Sequence, residues 1–143
     1  MTVQTDYTQE ERLLAALAHA SIVTGAIGPA VGVLVYITQK EKSPFAARQA
    51  LQAALYQLVG FVGLIIAWSC WGLCYALSFI PLITNAEQYQ DAPPPIFWVG
   101  LGSMIIPFII MAAWGLYGLY AAVRVWQGTD FRYAFIGRLK ILD

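Results

Sequence analysis

The sequence predicts an all-α integral membrane protein with three transmembrane helices, and two observations favour this fold class. Residues 13–39, 49–86 and 92–123 contain no Asp, Glu, Lys or Arg. Charged residues make up only 11% of the 143 residues, whereas hydrophobic residues make up 59%. Soluble domains carry about 25% charged residues, and uncharged apolar stretches of about 18 or more residues indicate membrane spans. A soluble globular domain is therefore excluded.

Composition and motifs also exclude several functions. Eight basic residues balance eight acidic ones, so the chain lacks the positive excess with which proteins neutralise nucleic-acid phosphates. Cys70 and Cys74 lie four residues apart and do not form a Cys-x-x-Cys redox motif, so we interpret both as small packing residues. No nucleophile elbow, phosphate loop or metal-hydrolase motif occurs. The sequence predicts a protein that is not an enzyme.

The first span is predicted at residues 13–38, after a mobile polar N-terminus at residues 1–9. Its 26 residues would extend about 39 Å as a helix, more than the hydrocarbon thickness of about 30 Å. Pro29 follows Gly28 near the middle and predicts a kink, because proline removes a backbone hydrogen bond. A re-entrant or interfacial arrangement of residues 13–24 is an alternative.

The second helical stretch begins at Pro44 and is too long for one bilayer crossing. We predict an interfacial amphipathic segment at residues 45–54, followed by the second span at residues 55–79. Gln49, Gln52 and Gln57 are interpreted as a solvated or interfacial face, with bonding to a partner chain as the alternative.

A proline-rich external loop is predicted at residues 81–95, because Pro81 ends the preceding helix and three prolines close the loop. The third span covers residues 96–123, with a second kink at Pro107. Residues 128–143 are predicted to form a basic tail.

If the three spans alternate in direction, seven of the eight basic residues share the side of this tail. The positive-inside rule then places the tail in the cytoplasm and the N-terminus outside. These seven residues are predicted topology or lipid anchors: Lys40, Lys42, Arg48, Arg124, Arg132, Arg138 and Lys140.

Small residues recur on one face of each span at steps averaging about 3.5, the spacing of left-handed helix packing. We predict that these faces join the spans into a bundle, and that leucine at Gly63 or Gly115 destabilises it. The predicted packing residues are Ala18, Ser21, Gly25, Gly28 and Gly32 in the first span, Gly60, Gly63, Ala67, Cys70 and Cys74 in the second, and Ala112, Gly115, Gly118 and Ala122 in the third.

His19 is the chain's one histidine and lies within the first span, where polar side chains often have functional roles. One interpretation is an axial ligand to a chlorophyll-type pigment or a haem, because Ala15 one turn earlier leaves room for a flat ring. The other is a histidine that is hydrogen-bonded to a neighbouring helix or lies near the outer interface. The second interpretation is preferred, so the sequence predicts no cofactor.

Several short motifs resemble the bacterial Tic20-like DUF4870 family over residues 12–139. They are the run from Arg12 to His19, Gly28-Pro29, the run from Lys42 to Phe45, the run from Gln49 to Ala53, and the ending Gln127-Gly128, Phe131-Arg132-Tyr133 and Ile136-Gly137-Arg138. The resemblance implies a bacterial inner-membrane protein and a relationship to subunits of a plastid protein-import channel. Because those plastid relatives have four helices, the resemblance also implies a four-helix arrangement, with a fourth, short helix, as the alternative to three. The chain departs from the family at Gln49, where many members have histidine.

Three functional hypotheses follow. The favoured one is a non-enzymatic helical subunit or scaffold that packs with other membrane proteins or with itself, as in an accessory subunit of an energy-converting complex. The second is a Tic20-like translocation or channel component, and the third is a pigment or haem carrier through His19. The expected partners are the lipid bilayer and integral membrane proteins, not nucleic acid.

Overall fold

The computed structural model describes residues 7–138, and these residues form helices and connecting segments with no strand. The helices are α1 (Gln9–Ala20), α2 (Gly28–Gln39), α3 (Pro44–Leu77), α4 (Ile80–Thr84), α5 (Pro95–Gly102) and α6 (Ile105–Trp126), and short 3-10 helices cover Ser21–Ile27, Ala86–Tyr89 and Ile136–Arg138. Three segments are long and apolar enough to span a membrane, namely Gln9–Gln39, Pro44–Thr84 and Pro95–Trp126. The predicted all-α fold class, with three segments long and apolar enough for a membrane, is confirmed.

The chain divides into two compact units. The first unit contains the described residues 7–61 and 114–138, and the second unit contains residues 62–113. Helices α3 and α6 each contribute residues to both units. His19, the candidate functional residue predicted from the sequence, lies in the first unit.

Three interruptions of the helices each lie four residues before a proline. A proline ring clashes with the carbonyl group four residues earlier and cannot donate a hydrogen bond to it, so the preceding turn opens. The predicted kinks in the first and third spans are confirmed, and the same rule explains the end of α3. The pairs are Gly25 and Pro29, Leu77 and Pro81, and Ser103 and Pro107.

The break before Pro29 is sharper than the predicted kink, because α1 and α2 fold back against each other. Gly25 has a φ of 63°, a left-handed conformation that glycine adopts without the steric cost of a side chain. Ala18 of α1 and Val35 of α2 then pack in one cluster with Ala50 and Ala53 of α3. Helices α1 and α2 therefore form an antiparallel hairpin against the first half of α3.

The first half of α3 is the centre of the first unit. Ser43 caps the helix by accepting a 3.2 Å hydrogen bond from the Ala46 backbone N–H, and Phe45 packs in a cluster with Ala15, Ala46 and Val125. Residues 45–54, predicted as an interfacial segment, include eight fully or largely buried residues. The prediction of a solvated glutamine face is wrong, since the hairpin covers this part of α3.

The second unit holds the connection between α3 and α6 and a group of ring contacts. Trp68 meets Phe108 edge to face at a centroid distance of 5.0 Å, and the Trp71 indole N–H donates a 3.1 Å hydrogen bond to the Gly100 carbonyl. A groove of about 310 Å³ lies between α3 and the start of α6, and Cys70, Cys74 and Ala67 contribute to its lining. Both thiols are free and exposed.

Some of the predicted packing residues make close helix contacts. Side chains of neighbouring helices fill the space beside four glycines: Gln57 beside Gly28, Ala54 beside Gly32, Trp114 beside Gly60 and Ile22 beside Gly118. Ala18, Ser21 and Ala122 are also buried. Helices α2 and α6 therefore both approach α3 closely, and α6 also approaches the hairpin at Ile22.

Other predicted packing residues have no such neighbour. A Cβ added at Gly63 or Gly115 meets nothing within 4 Å, so no close contact within the chain supports the predicted loss of bundle stability on substitution by leucine. Gly25 lies in the chain reversal and is exposed, and Ala112 is exposed on α6. Cys70, Cys74 and Ala67 line the open groove of the second unit.

Candidate functional site

His19 lies at the centre of a buried polar cluster in the first unit. Its side chain is 0% exposed, and both ring nitrogens have partners. Nδ1 lies 3.0 Å from the Tyr133 hydroxyl, and Nε2 lies 3.1 Å from Oε1 of Gln49. The ring is thus held between α3 and the segment that follows α6.

The partners of Gln49 determine the tautomer of His19. The amide nitrogen of Gln49 donates to Oδ1 of Asp130 at 2.8 Å and to the Phe131 carbonyl at 2.9 Å, so its Oε1 must point at the histidine. Because Oε1 can only accept, Nε2 of His19 donates the proton. Nδ1 is then the acceptor, and the Tyr133 hydroxyl donates to it.

Gln52 and Gln49 together hold the non-helical backbone after α6. Gln52 donates to the Phe131 carbonyl at 2.8 Å and accepts from the Tyr133 N–H at 2.9 Å. Buried backbone groups outside regular structure need such partners, since unpaired ones are costly. The two glutamine side chains take the place that water would have around an exposed loop.

An ion pair closes one end of the cluster. Nη2 of Arg48 lies 2.9 Å from Oδ1 of Asp130, the same oxygen that accepts from Gln49. Arg132 approaches the other oxygen of Asp130 at 3.8 Å. The Arg48 and Asp130 side chains are 27% and 33% exposed, so this end of the cluster reaches the surface of the chain.

Gln57 closes the opposite end, at the reversal between α1 and α2. Its amide nitrogen donates to the Ala18 carbonyl at 2.9 Å and to the Ser21 hydroxyl at 3.2 Å. The Ser21 hydroxyl in turn lies 2.8 Å from the Ala18 carbonyl and 3.1 Å from that of Gly28. The bonds to Ala18 satisfy a carbonyl group in the last turn of α1, where carbonyl groups lack partners within the helix.

Aromatic rings cover the cluster on the side of α6. The Tyr133 ring stacks on Tyr56 with centroids 3.9 Å apart and planes 3° from parallel. Tyr117 meets Tyr133 and Phe131 edge to face. The Tyr56 hydroxyl donates to the Trp114 carbonyl at 2.8 Å. Tyr133 is therefore fixed by stacking and by its hydrogen bond to His19.

Burial raises the pKa of Tyr133, and the neighbouring Tyr56 and Tyr117 raise it further. The folded chain keeps this phenol neutral above pH 10, whereas the unfolded chain ionises it near pH 10. The stability contributed by the neutral phenol is complete below pH 10 and falls as the pH rises above that value.

We expect the wild-type melting temperature to fall between pH 9 and pH 11, and Tyr133→Phe to show a smaller fall. Thermal unfolding in detergent across this range measures both. Tyr89→Phe, in the connection between α4 and α5, is the control and should follow the wild type. Equal pH dependence in Tyr133→Phe and wild type would contradict the expectation.

This arrangement does not fit His19 as an axial ligand. A metal or macrocycle needs a free nitrogen lone pair, but Nε2 carries the proton and Nδ1 accepts from Tyr133. The described residues also contain no group of three or more His, Cys, Asp or Glu side chains that could hold a metal ion. The cluster can link helices and hold the segment after α6.

The predicted anchors have different surroundings. Lys40 and Lys42 are exposed in the turn between α2 and α3, whereas Arg48 and Arg132 approach Asp130. Arg124 lies 6.0 Å from the centre of the Tyr120 ring. Arg138 is the last described residue, and Lys140 lies outside the described residues together with the rest of the predicted tail to residue 143.

Sequence reasoning missed most of this cluster. Tyr133 and Asp130 lie in residues 128–143, which were predicted as a basic tail, yet Tyr133 is 3% exposed. The available signal was Gln49, Gln52 and Gln57, three amides at helical spacing inside a charge-free run. Amides in such a position need polar partners, and an irregular segment can provide them.

Comparison with known proteins corrects the resemblance based on short motifs. No curated protein and no solved structure matches the chain. The family model that matches is not the Tic20-like DUF4870 family, so that identification is wrong, and the translocation hypothesis drawn from it has no support. The match is to the Magnetosome magnetite crystal formation protein family and extends over residues 10–140, nearly the whole chain. The chain is a membrane protein with an all-helical fold, and it belongs to the magnetosome magnetite crystal formation (MamF/MmsF) family.

Proposed function

We propose that this chain is a non-enzymatic helical protein of the magnetosome membrane that takes part in magnetite crystal formation by packing with other membrane proteins or with further copies of itself. Family membership supports the setting and favours it over an energy-converting complex. The His19 cluster supports a structural role, because its hydrogen bonds are directed at the chain's own helices and backbone.

The observation that carries the proposal is the third membrane segment, Pro95–Trp126. Only 6% of its most apolar window is buried within the chain. Glycine at position 115 of this helix leaves open space where a side chain would be. Small residues on an apolar helix permit close approach of a second helix within lipid, so this face suits a helix from another protein.

Gly115→Leu is the variant that tests the packing. We expect it to leave the melting temperature of the isolated chain unchanged, because nothing lies within 4 Å of the added Cβ. It should reduce the recovery of cross-linked partner chains or further copies after extraction from the native membrane in a mild detergent. Gly102→Leu, also in open space but in the last position of α5, is the matched control. Equal recovery from both variants, or a wild-type chain without cross-linked neighbours, would contradict the packing.

The role in magnetite formation needs a separate experiment. Deletion of the gene in a magnetite-forming cell should change the size or number of the crystals seen by electron microscopy, and the wild-type gene should restore them. Unchanged crystals would overturn this part of the proposal while leaving the packing result intact.

A further inference from the structure

We propose that residues 9–39 do not cross the membrane but enter and leave it on one side, as a re-entrant helical hairpin. The start of α1, the turn between α2 and α3 and the segment after α6 then share that side. Two segments, Pro44–Thr84 and Pro95–Trp126, cross the bilayer. The inference concerns membrane topology and does not depend on the proposed function.

Contacts at both ends of the hairpin establish that it returns to its starting level. The Tyr7 ring, just before α1, stacks on Phe45 at the start of α3 with centroids 3.7 Å apart. Lys40 follows α2 and lies four residues before Pro44, where α3 begins. The beginning of α1 and the end of α2 are therefore both at the start of α3, and two such ends cannot lie on opposite faces of a bilayer.

The two helices are also too short to cross separately. Helices α1 and α2 have 12 residues each, which corresponds to about 18 Å, against a hydrocarbon thickness of about 30 Å. Their reversal lies beside Gln57, the fourteenth residue of α3, or about 20 Å from its beginning. The hairpin thus ends inside the hydrocarbon region.

The chemistry of the reversal fits that depth. Irregular backbone inside a membrane must find hydrogen-bond partners within the protein. The Thr24 hydroxyl donates to the Ser21 carbonyl at 2.6 Å, and Gln57 donates to the carbonyl of Ala18. Two large apolar side chains of the reversal point outward, with Val23 72% and Ile27 67% exposed. In water, solvent could satisfy the backbone of such a turn, and exposure of two large apolar side chains would be unfavourable.

The charge distribution supports the same topology. With three crossings, Arg12 is the one basic residue on the side opposite to the other seven. With a re-entrant hairpin, all seven basic residues within residues 7–138 belong to one side, and the charged residues within 78–94 on the other side are the acids Glu87 and Asp91. The positive-inside rule then places the start of α1 and the segment after α6 in the cytoplasm.

Single cysteines test the proposal in a chain that carries Cys70→Ser and Cys74→Ser. Gln9→Cys lies at the start of α1, Lys40→Cys follows α2, and Gln88→Cys lies between α4 and α5; all three positions are exposed. Sealed membrane vesicles of known orientation are treated with a membrane-impermeant maleimide. Each variant is first compared with the parent chain by size-exclusion chromatography, and Glu10→Cys is a second reporter for α1.

We expect Gln9→Cys and Lys40→Cys to be labelled from the same side, and Gln88→Cys from the opposite side. Labelling of Gln9→Cys together with Gln88→Cys would establish three crossings and overturn the proposal. Labelling of Gln9→Cys from both sides would overturn it as well, because a single re-entrant arrangement exposes this residue on one side.

Discussion

Gly32→Leu is expected to prevent α2 from packing on α3. The position where its Cβ would lie is 2.9 Å from the Cβ of Ala54 and 3.0 Å from the Ala50 carbonyl oxygen. Both neighbours belong to the helix itself and cannot swing away, so α2 must move outward. Overpacking typically costs about 1–3 kcal/mol, and the loss of close helix contacts adds to this cost. We expect the melting temperature in detergent to fall by about 10 °C.

Gly63→Leu and Gly115→Leu are the matched controls. They introduce the same side chain into a membrane helix, at glycines with no atom within 4 Å of the added Cβ. Both should melt within about 2 °C of wild type in detergent, since substitutions away from packed features change stability by about 0.5 kcal/mol or less. A Gly32→Leu chain as stable as these controls would contradict the close approach of α2 and α3.

Gln49→Leu is expected to destabilise the first unit and release the segment after α6. The substitution leaves Nε2 of His19, Oδ1 of Asp130 and the Phe131 carbonyl without the amide that joins them. An unsatisfied buried polar group costs about 1–3 kcal/mol. We expect a loss of about 3 kcal/mol in unfolding free energy and faster tryptic cleavage after Arg132.

Gln90→Leu, at an exposed position between α4 and α5, is the control for Gln49→Leu. His19→Leu combined with Gln49→Leu should cost less than the sum of the two single changes, because the residues share a hydrogen bond. Additive costs, or equal cleavage rates in Gln49→Leu and Gln90→Leu, would refute the role of Gln49 in holding the segment.

The helical fold was predictable because long charge-free runs and prolines act locally. Pro29, Pro81 and Pro107 each open the turn four residues earlier, and that effect depends on the residue and not on its surroundings. The apolar length of each run likewise establishes membrane segments. These features need no knowledge of how distant parts of the chain meet.

The hairpin and the His19 cluster depend on contacts that are distant in sequence. A 26-residue apolar run is compatible with a kinked span or with two helices that fold back, and Gly25 permits either. Tyr133 meets His19 across 114 positions of the chain, a pairing that no local pattern encodes. The sequence pattern predicts that each span has a face of small residues. It does not predict which glycines of that face contact a neighbouring helix within the chain.

Gln49 and Gln52 bind the backbone of the segment after α6, so this part of its docking does not depend on the side chains at positions 131 and 133. Their bonds go to the Phe131 carbonyl and the Tyr133 N–H, groups that nearly every amino acid provides. Proline is the exception at position 133, because it has no N–H to donate. A substitution at position 131 therefore keeps the backbone bonds that dock the segment and loses the ring contacts of Phe131, whereas a proline at position 133 removes the N–H that Gln52 binds.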